Sequence, residues 1–399
     1  KEAPGTVAEH LILGQLTAVH ETGGHGLLRL RGADWNDALD MAPMRGESVA
    51  FSFAYCLSLE RLSDMLDALS ERGVTALELP RRVRLLLGEG ARLEDYCRAC
   101  ASGTGAEKES FQTCDISAAL RLESGKLGER LRAQEWLQTG EDGWFNSYYD
   151  EAGERAECAE PGSERMMLTG QVFALMSSVA DDKQAAQLVR AARRLLFDKR
   201  LGGYRLNTDF GDRPNRLGRM FAFAYGTKEN GAVFSHMAVM YAYALYERGF
   251  VHEGFEALSA LFEHALDFET SRIYPGVPEY FEPDGRGAYH YLTGAGAWTL
   301  RTVVGQMYGI RGRLGAMFIE PKLLARQFDR NGTASVKLRF GGLSWTVTYF
   351  DPLGLDYGQY RPELRLDGMP LPGNTVPRRF TEEAEPGSEH RLEVFLKEK

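Results

Sequence analysis

The stretch NGAVFSHMAVMYAYALYE, residues 230–247, decides the fold class, because apolar side chains cover almost its whole circumference. A helix that is apolar on all sides is buried by other elements all round. The segment Lys183–Phe197 has instead one polar face, as an outer helix does. Paired helices of these two kinds form a bundle or a toroid, and the contrast between them favours the toroid.

Helical periodicity recurs through most of the chain before about residue 310, where strand-like alternation is nearly absent. Thr6 and Glu9 form a capping box ahead of a helix over Val7–His20. A long amphipathic helix is predicted over Val49–Ser70 and is ended by Gly73. Further helices are predicted over residues 93–100, 116–137, 164–180, 183–197, 230–247, 252–266 and 294–308.

The pattern changes from about Gly312 onwards. ASVKLRFGGLSWTVTYF, LRLDGMPLPG and HRLEVFL alternate with a period of two around turn residues, which is typical of antiparallel strands. We therefore predict a mainly α chain with two domains. The first is helical and covers residues 1–312, and the second is a small, β-sandwich-like antiparallel domain over residues 313–399.

Composition excludes several classes of partner. The 399 residues have a net charge of -9 and no run of Lys and Arg, which argues against nucleic acid as a ligand. The longest apolar run, Ala232–Tyr246, is shorter than the ~20 residues of a membrane span. Five cysteines, an odd number, favour a reducing compartment, so we predict a cytoplasmic protein. Cys97 and Cys100 form a CxxC without a second half at metal-binding spacing, and we predict no metal site.

The stretch Asp34–Asp37, DWND, is the first candidate site. It places the flat ring of Trp35 beside two carboxylates, which suits holding a sugar while a carboxyl group protonates its glycosidic oxygen. Asp40 adds a third acid. Mutual repulsion of these carboxylates, together with burial against Trp35, predicts a raised pKa for at least one of them. A polar loop anchored by a tryptophan fits the same residues.

Three further segments carry side chains that suit a sugar or an anion. Trp144 belongs to an aromatic and acidic cluster over residues 142–150, which is either a sugar platform or a plug in the helical core. His236 lies inside the apolar helix, as a functional group or as a satisfied core residue. Thr293 and Gly294 begin a helix whose N-terminus forms either an anion seat or an ordinary cap.

Six motifs in this order resemble those of the inverting cellobiose-phosphorylase-type enzymes, which act on β-linked glucosides. They are ADWND, RGES, DGWF, KENG with the histidine that follows, SRIYPGVPEYF and YLTGAGAW, and they span about residues 6–325. Within that family, ADWNDALDMA, GGYRLNTDF and LGRMFAFAYG are most similar to phosphorylases of β-1,2-linked gluco-oligosaccharides.

The resemblance implies an (α/α)6 toroid followed by a β domain. It also implies inverting phosphorolysis of a β-1,2- or β-1,4-linked gluco-oligosaccharide, which yields α-glucose 1-phosphate and a shortened acceptor. Inorganic phosphate is then a substrate, and no cofactor is expected. Phosphate is already an anionic nucleophile, so one acid is enough, whereas an inverting hydrolase needs a second carboxylate to activate water.

The resemblance implies roles for individual residues as well. Asp37 matches the general acid, and Trp35 matches a residue that lines the donor sugar site. Lys228 and Glu229 lie where the acceptor is bound, and Arg219 and Phe223 lie near positions that differ between specificities. With Asp34 and Trp144 from the clusters above, these residues form the predicted substrate-binding set. The predicted phosphate-binding set is Arg45, His236, Thr293 and Gly294.

Members of that family have a β domain and the first toroid helices ahead of the DWND stretch, whereas this sequence begins about thirty residues before Asp37. We therefore expect association with an N-terminal segment that completes the barrel, and a homo-oligomer is a further option. Two other functions stay open. One is an inverting hydrolase on the same toroid, with Glu229 or Glu279 as the second carboxylate. The other is a sugar-binding or incomplete fragment without turnover.

Overall fold

A computed structural model describes residues 5–88, 90–211, 216–274, 276–289 and 294–399. The chain forms two compact units. The first unit comprises Lys1–Phe234 with Tyr280–Gly285, and the second comprises Ser235–Glu279 with Arg286–Lys399. The predicted domain boundary between residues 312 and 313 marks a change from helices to strands, which is a different criterion from the one that divides these two units. It therefore stays a prediction.

The longest elements of the first unit are helices. They are α1 (Val7–Val19), α2 (Val49–Glu71), α3 (Leu93–Ser102), α4 (Thr113–Gln134), α5 (Leu168–Met176) and α6 (Asp182–Leu196). Side-chain caps define three of their starts, and Asp181 is the cap of α6. Thr6 Oγ1 accepts the Glu9 N–H at 3.1 Å, and Ser48 Oγ accepts the Phe51 N–H at 2.8 Å. The helices predicted over residues 7–20, 49–70 and 183–197 are thus confirmed, whereas α5 is shorter than the predicted span of residues 164–180.

Helices α2 and α4 pack lengthwise against each other in this unit. Apolar side chains of both helices are buried along the contact, among them Leu59, Leu66, Ile116 and Leu120. The buried hydroxyl of Ser63 donates to the carbonyl of Ser117 at 3.0 Å, so the polar groups within the contact are also satisfied.

Short antiparallel strand pairs join the helices of the first unit. The strands are β1 (Glu47–Ser48), β2 (Ala76–Pro80), β3 (Lys108–Gln112), β4 (Trp136–Thr139), β5 (Asp142–Phe145), β6 (Tyr148–Tyr149), β7 (Phe197–Asp198), β8 (Gly203–Tyr204), β9 (Val233–Phe234) and β10 (Tyr280–Phe281). They pair as β1 with β6, β2 with β3, β4 with β5, β7 with β8, and β9 with β10. The sequence pattern before residue 310 gave no indication of these strands. Strands of two to five residues are too short to show a recognisable alternation.

The second unit contains the apolar helix on which the fold prediction rests. Its helices are α7 (Ser235–Glu247), α8 (Val251–Leu266), α9 (Phe268–Ser271), α10 (Gly294–Thr302) and α11 (Arg378–Glu383), and a π-helical turn over Val303–Met307 continues α10. Residues 237–242 and 244–246 of α7 are all buried, which confirms that other elements surround it. This helix begins at Ser235 rather than at Asn230, because Val233 and Phe234 form strand β9.

Strands dominate the C-terminal part of the second unit. They are β11 (Gly287–Ala288), β12 (Ile310–Arg313), β13 (Ala316–Ile319), β14 (Thr333–Phe340), β15 (Leu343–Phe350), β16 (Tyr360–Leu366), β17 (Met369–Leu371), β18 (Thr375–Val376) and β19 (Glu389–Glu398). Strands β12, β13 and β18 form one sheet, and a five-stranded sheet has the order β14-β15-β19-β16-β17. Alternate residues of β15, from Leu343 to Tyr349, are buried, as the alternation predicted.

The prediction of an antiparallel C-terminal domain is wrong for one strand pair. Strand β19 lies between β15 and β16, and it runs parallel to β15 with Trp345 opposite His390. Its pairing with β16 is antiparallel. Alternation along a strand reports which face is buried, not the direction of its neighbours, so the sequence pattern could not indicate this mixed sheet. The sheets of the described residues are small and open.

None of the described helices is both long and apolar enough to cross a membrane. The five cysteines are free thiols. Within the same described ranges, no three His, Cys, Asp or Glu side chains gather in a way that could hold a metal ion.

Candidate active site

Two side-chain turns shape the DWND loop in the first unit. Asp34 Oδ1 accepts the N–H of Asn36 at 3.0 Å, and Asn36 Oδ1 accepts the N–H of Ala38 at 3.1 Å. Aspartate and asparagine favour such turns because their short side chains reach the backbone two residues on. The two turns lie on either side of Asp37, whose side chain is 80% exposed. The loop therefore presents this carboxylate to solvent.

Asp34, in contrast, is held inside the loop. Its Oδ2 accepts the hydroxyl of Ser48 at 2.7 Å, and its Oδ1 accepts the hydroxyl of Tyr148 at 3.2 Å. Burial raises the pKa of Asp34 to about 6, although the hydrogen bonds from Asn36, Ser48 and Tyr148 act in the opposite direction. The predicted rise in the pKa of one clustered acid thus falls on Asp34, and burial rather than like-charge repulsion is its main cause. These contacts make Asp34 an organiser of the loop.

Trp35 lies on an aromatic row of the first unit. Its ring meets that of Phe234 edge-on at 5.6 Å between centroids, and Phe234 stacks on Tyr280 at 5.8 Å. The side chain of Trp35 is only partly buried. A flat ring fixed by aromatic neighbours in this way is suited to contact the face of a sugar.

Arg219 contacts the loop through both its backbone and its guanidinium. Its backbone N–H donates to Asp40 Oδ1 at 3.0 Å, and its guanidinium donates to Asp40 Oδ2 and to the carbonyl of Asp37, the latter at 2.9 Å. The guanidinium lies 3.6 Å from the Asp37 carboxylate. Hydrogen bonds and charge from Arg219 lower the pKa of Asp40. The structure thus places Arg219 beside Asp37.

Close backbone approach brings Arg219 to this position. The N–H of Met41 donates to the carbonyl of Leu217, and the N–H of Met220 donates to the carbonyl of Ala38, both at 3.1 Å. Gly218 lies between these bonds, and a Cβ there would stand 1.9 Å from the Ala38 carbonyl oxygen. Only glycine permits this approach. The LGRM motif and the DWND loop, far apart in the sequence, thus form one local structure.

The KENG motif forms a turn that collects the predicted acceptor residues. Lys228 and Glu229 lie between the bridged residues Thr227 and Asn230, and Lys228 adopts a positive φ of 49°. Lys228 Nζ stands 4.8 Å from the centroid of the Phe223 ring, a cation–π distance. The structure therefore brings Phe223 and Lys228 together, and the charge of Glu229 acts on Arg219.

Trp144 is not a sugar platform. Its side chain has no exposed surface, and its indole N–H donates to the carbonyl of Arg165 at 3.2 Å. A sugar can stack only on an accessible ring face. Of the two interpretations that the sequence left open, the core plug is the correct one.

Arg45 and the RGES motif surround the start of α2. Arg45 is exposed, and its backbone N–H donates to Glu151 Oε2 at 3.0 Å. Two residues on, Glu47 is fully buried and accepts the ring Nδ1 of His25 at 2.7 Å and the N–H of Leu27 at 3.0 Å. Sequence reasoning missed Glu47, because a buried charge is recognised only by its partners. The sequence signal that could have drawn attention to Glu47 is its place directly before Ser48, which caps an apolar helix.

In the second unit, His236 and Gly294 are in direct contact. A Cβ at Gly294 would lie 2.3 to 2.5 Å from three atoms of the His236 ring, so only glycine lets the imidazole approach the start of α10. Burial lowers the pKa of His236. A neutral imidazole beside the partial positive charge of a helix N-terminus is a chemically reasonable anion seat. Thr293, the third predicted member, lies outside the described residues.

Comparison with protein families identifies the class to which this fold and site belong. The family model described as "Glycosyl hydrolase 94 superfamily, catalytic domain" matches residues 1–75 and 112–309. These ranges contain the DWND loop, the KENG turn, His236 and Gly294. The chain therefore belongs to this family, and the resemblance to cellobiose-phosphorylase-type enzymes is confirmed.

Three curated relatives show the range of the family. The chain is 22% identical over 404 residues to the 3-O-β-D-glucopyranosyl-β-D-glucuronide phosphorylase of Paenibacillus borealis, covering 98% of this chain and 45% of that protein. It is 24% identical over 387 residues to the solabiose phosphorylase of the same species, with coverage of 94% and 44%. It is 26% identical over 332 residues to the cyclic β-(1,2)-glucan synthase of Rhizobium meliloti (strain 1021), with coverage of 80% and 10%. The chain thus spans less than half the length of these relatives.

Proposed function

We propose that the chain carries the catalytic domain of an inverting glycoside phosphorylase. This hexosyltransferase moves a glucosyl group from a β-linked gluco-oligosaccharide to inorganic phosphate, and releases α-glucose 1-phosphate and a shortened acceptor. The observation that supports the proposal is one exposed carboxylate, Asp37, held by two side-chain turns on a loop inside the family-matched segment.

Asp37 acts as the general acid in this mechanism. It donates its proton to the glycosidic oxygen as the bond to C1 breaks, and the acceptor leaves as a neutral alcohol. Phosphate attacks C1 from the opposite face, so the configuration inverts. Because phosphate is already an anion, no second carboxylate is needed to activate it. Trp35 contacts the donor sugar, and Lys228, Glu229, Phe223 and Arg219 contact the acceptor.

We assign phosphate binding to His236, Gly294 and Thr293, and Arg45 is the cationic member of the predicted set. Charged donors and backbone N–H groups at a helix start stabilise a phosphate dianion through charge-assisted hydrogen bonds. The direct contact of the His236 ring with Gly294 supports this set. No metal or cofactor takes part in the proposed reaction.

The helical part, on this proposal, belongs to an (α/α)6 toroid that an N-terminal segment completes. A cytoplasmic location agrees with five free cysteines. For the linkage, we propose β-1,2 or β-1,4. The similarity to a cyclic β-(1,2)-glucan synthase over 80% of the chain supports the first of these.

The test is incubation of the purified protein with a panel of β-linked glucobioses and short oligomers, with and without phosphate. α-Glucose 1-phosphate that forms only with phosphate is the expected result, and the best substrate identifies the linkage. Asp37→Asn should lower turnover by ~10²–10⁴-fold and leave sugar binding nearly unchanged. Asp64→Asn is a matched control, because Asp64 is an exposed aspartate that pairs with Arg121 on the α2–α4 contact.

Other outcomes have distinct meanings. Free glucose released without phosphate would make the protein a hydrolase and would direct attention to Glu229 and Glu279. Full phosphorolysis by the Asp37→Asn variant would remove Asp37 from its role. Sugar binding without any product from the folded chain would be followed by adding the N-terminal segment of a longer relative.

A further inference from the structure

We propose that Asp40 is a positioning residue that acts through Arg219 to set the orientation and the acid strength of Asp37. The proposal rests on the proposed role of Asp37 as the general acid. Asp40 itself does not touch the reacting atoms in this scheme. It controls the cation that stands beside the acid.

Asp40 accepts hydrogen bonds from both the backbone and the side chain of Arg219. Its Oδ1 accepts the backbone N–H of Arg219 at 3.0 Å, and its Oδ2 accepts the guanidinium. The same guanidinium nitrogen donates to the backbone carbonyl of Asp37 at 2.9 Å. The guanidinium is planar and its donors have a fixed geometry, so these bonds determine where the remaining N–H groups point. They leave the guanidinium 3.6 Å from the Asp37 carboxylate, beyond hydrogen-bond distance.

This arrangement matters because a general acid must hold its proton. A cation within about 4–6 Å of a carboxylate stabilises its charged form, and the Arg219 guanidinium, 3.6 Å from the Asp37 carboxylate, lies within that range. Asp40 is in direct contact with the same guanidinium, and its pKa is lowered. The negative charge of Asp40 therefore offsets the positive charge of Arg219, and the pair stabilises the charged form of Asp37 less than Arg219 alone would.

The electrostatic surroundings of Arg219 contain three carboxylates. Asp40, Asp37 and Glu229 all act on its charge. Asp34 lies on the same loop, but its oxygens face Ser48 and Tyr148 on the inner side. Glu229 belongs to the proposed acceptor site, and its charge acts on the same guanidinium that lies 3.6 Å from the Asp37 carboxylate. An acceptor that forms hydrogen bonds with Arg219 would therefore also alter the electrostatic surroundings of Asp37.

The backbone frame makes the proposal testable without unfolding the loop. The bonds from Met41 to Leu217 and from Met220 to Ala38 hold the two segments independently of the Asp40 carboxylate. Loss of the Asp40 charge should therefore release the guanidinium and leave the backbone in place. The freed guanidinium would then pair with Asp37, whose carboxylate already lies 3.6 Å away.

The decisive experiment is titration of the Asp37 carboxyl carbon by NMR in protein labelled with ¹³C-aspartate. The resonance of Asp37 is assigned by its absence from the Asp37→Asn variant. Asp40→Asn should move the Asp37 titration to lower pH, and Arg219→Met should move it to higher pH. In the Arg219→Met background, Asp40→Asn should have much less effect, because its route through Arg219 is gone. Asp64→Asn, which breaks the exposed pair with Arg121, should change nothing.

An unchanged Asp37 titration in Asp40→Asn would overturn the proposal, and so would an equal shift in the presence and absence of Arg219. If Asp40→Asn does not fold, Arg219→Met still tests the step from Arg219 to Asp37. An Asp37 titration that does not move to higher pH in that variant would also refute the coupling.

Turnover separates this inference from the proposed function. With phosphorolysis present, the alkaline limb of the kcat profile of Asp40→Asn should move to lower pH by the same amount as the titration, with KM for the sugar little changed. An active Asp37→Asn variant would refute the general acid while the titration still measures the coupling. An inactive Asp37→Asn variant with an unshifted Asp40→Asn titration would refute the coupling alone.

Discussion

Gly218→Ala tests the contact that assembles the candidate active site. The backbone of Gly218 is extended, with φ of -179°, so alanine meets no torsional obstacle there. The added methyl group would instead stand 1.9 Å from the Ala38 carbonyl oxygen and 2.4 Å from the Leu39 Cα. Both are backbone atoms, and no side chain can rotate away to relieve the clash. The two segments must separate.

The expected cost follows from this geometry. Overpacking a well-packed interior costs typically ~1–3 kcal/mol, and we expect about 3 kcal/mol because backbone has to move. Local opening of the contact becomes easier by the same amount. Since 1.4 kcal/mol corresponds to a factor of ten, the amides of Met41 and Met220 should exchange with solvent deuterium about 100-fold faster. Displacement of Arg219 from Asp37 should lower turnover at the same time.

Hydrogen exchange followed by mass spectrometry on peptides that contain these two amides measures the effect. Gly14→Ala is the matched control, because Gly14 is an exposed residue inside α1 with nothing within 4 Å of a Cβ. It should stabilise the helix by ~1 kcal/mol and leave the two amides unchanged. Wild-type exchange at Met41 and Met220 in Gly218→Ala would refute the view that this close approach holds the loop.

Three further predictions concern other parts of the molecule. Burial raises the pKa of Glu157 to about 8, so its neutral form stabilises the fold, and this contribution is lost as the pH rises from about 4.5 to 8. In urea unfolding at several pH values, Glu157→Gln should therefore reduce the dependence of the unfolding free energy on pH, and an unchanged dependence would contradict the prediction. Gly294→Ala should push the His236 ring aside and raise KM for phosphate by about tenfold or more, whereas Gly305→Ala, with no neighbour closer than 4.0 Å, should not. Trp144→Ala should cost ~3–5 kcal/mol of unfolding free energy, as a core residue does; a stable variant that had lost only sugar affinity would restore the platform interpretation.

Periodicity alone predicted the larger elements correctly. The cap at Thr6, the long run of α2 and the all-round burial of α7 are local properties of the sequence, and each was found. The short strand pairs of the first unit were missed, as was the parallel pairing of β19 with β15. Both depend on partners distant in the chain, which alternation does not report.

The sequence by itself determined the family and the residue types of the candidate site, since six ordered motifs carry that information without coordinates. Tertiary structure decided which of those residues are available. It made Asp37 exposed and Asp34 internal, although they are three positions apart, and it turned Trp144 into a core residue. It also paired Asp40 with Arg219 across 179 positions of sequence. Burial, charge pairing and pKa depend on the solvent and neighbours around each group, and only the folded chain brings those neighbours together.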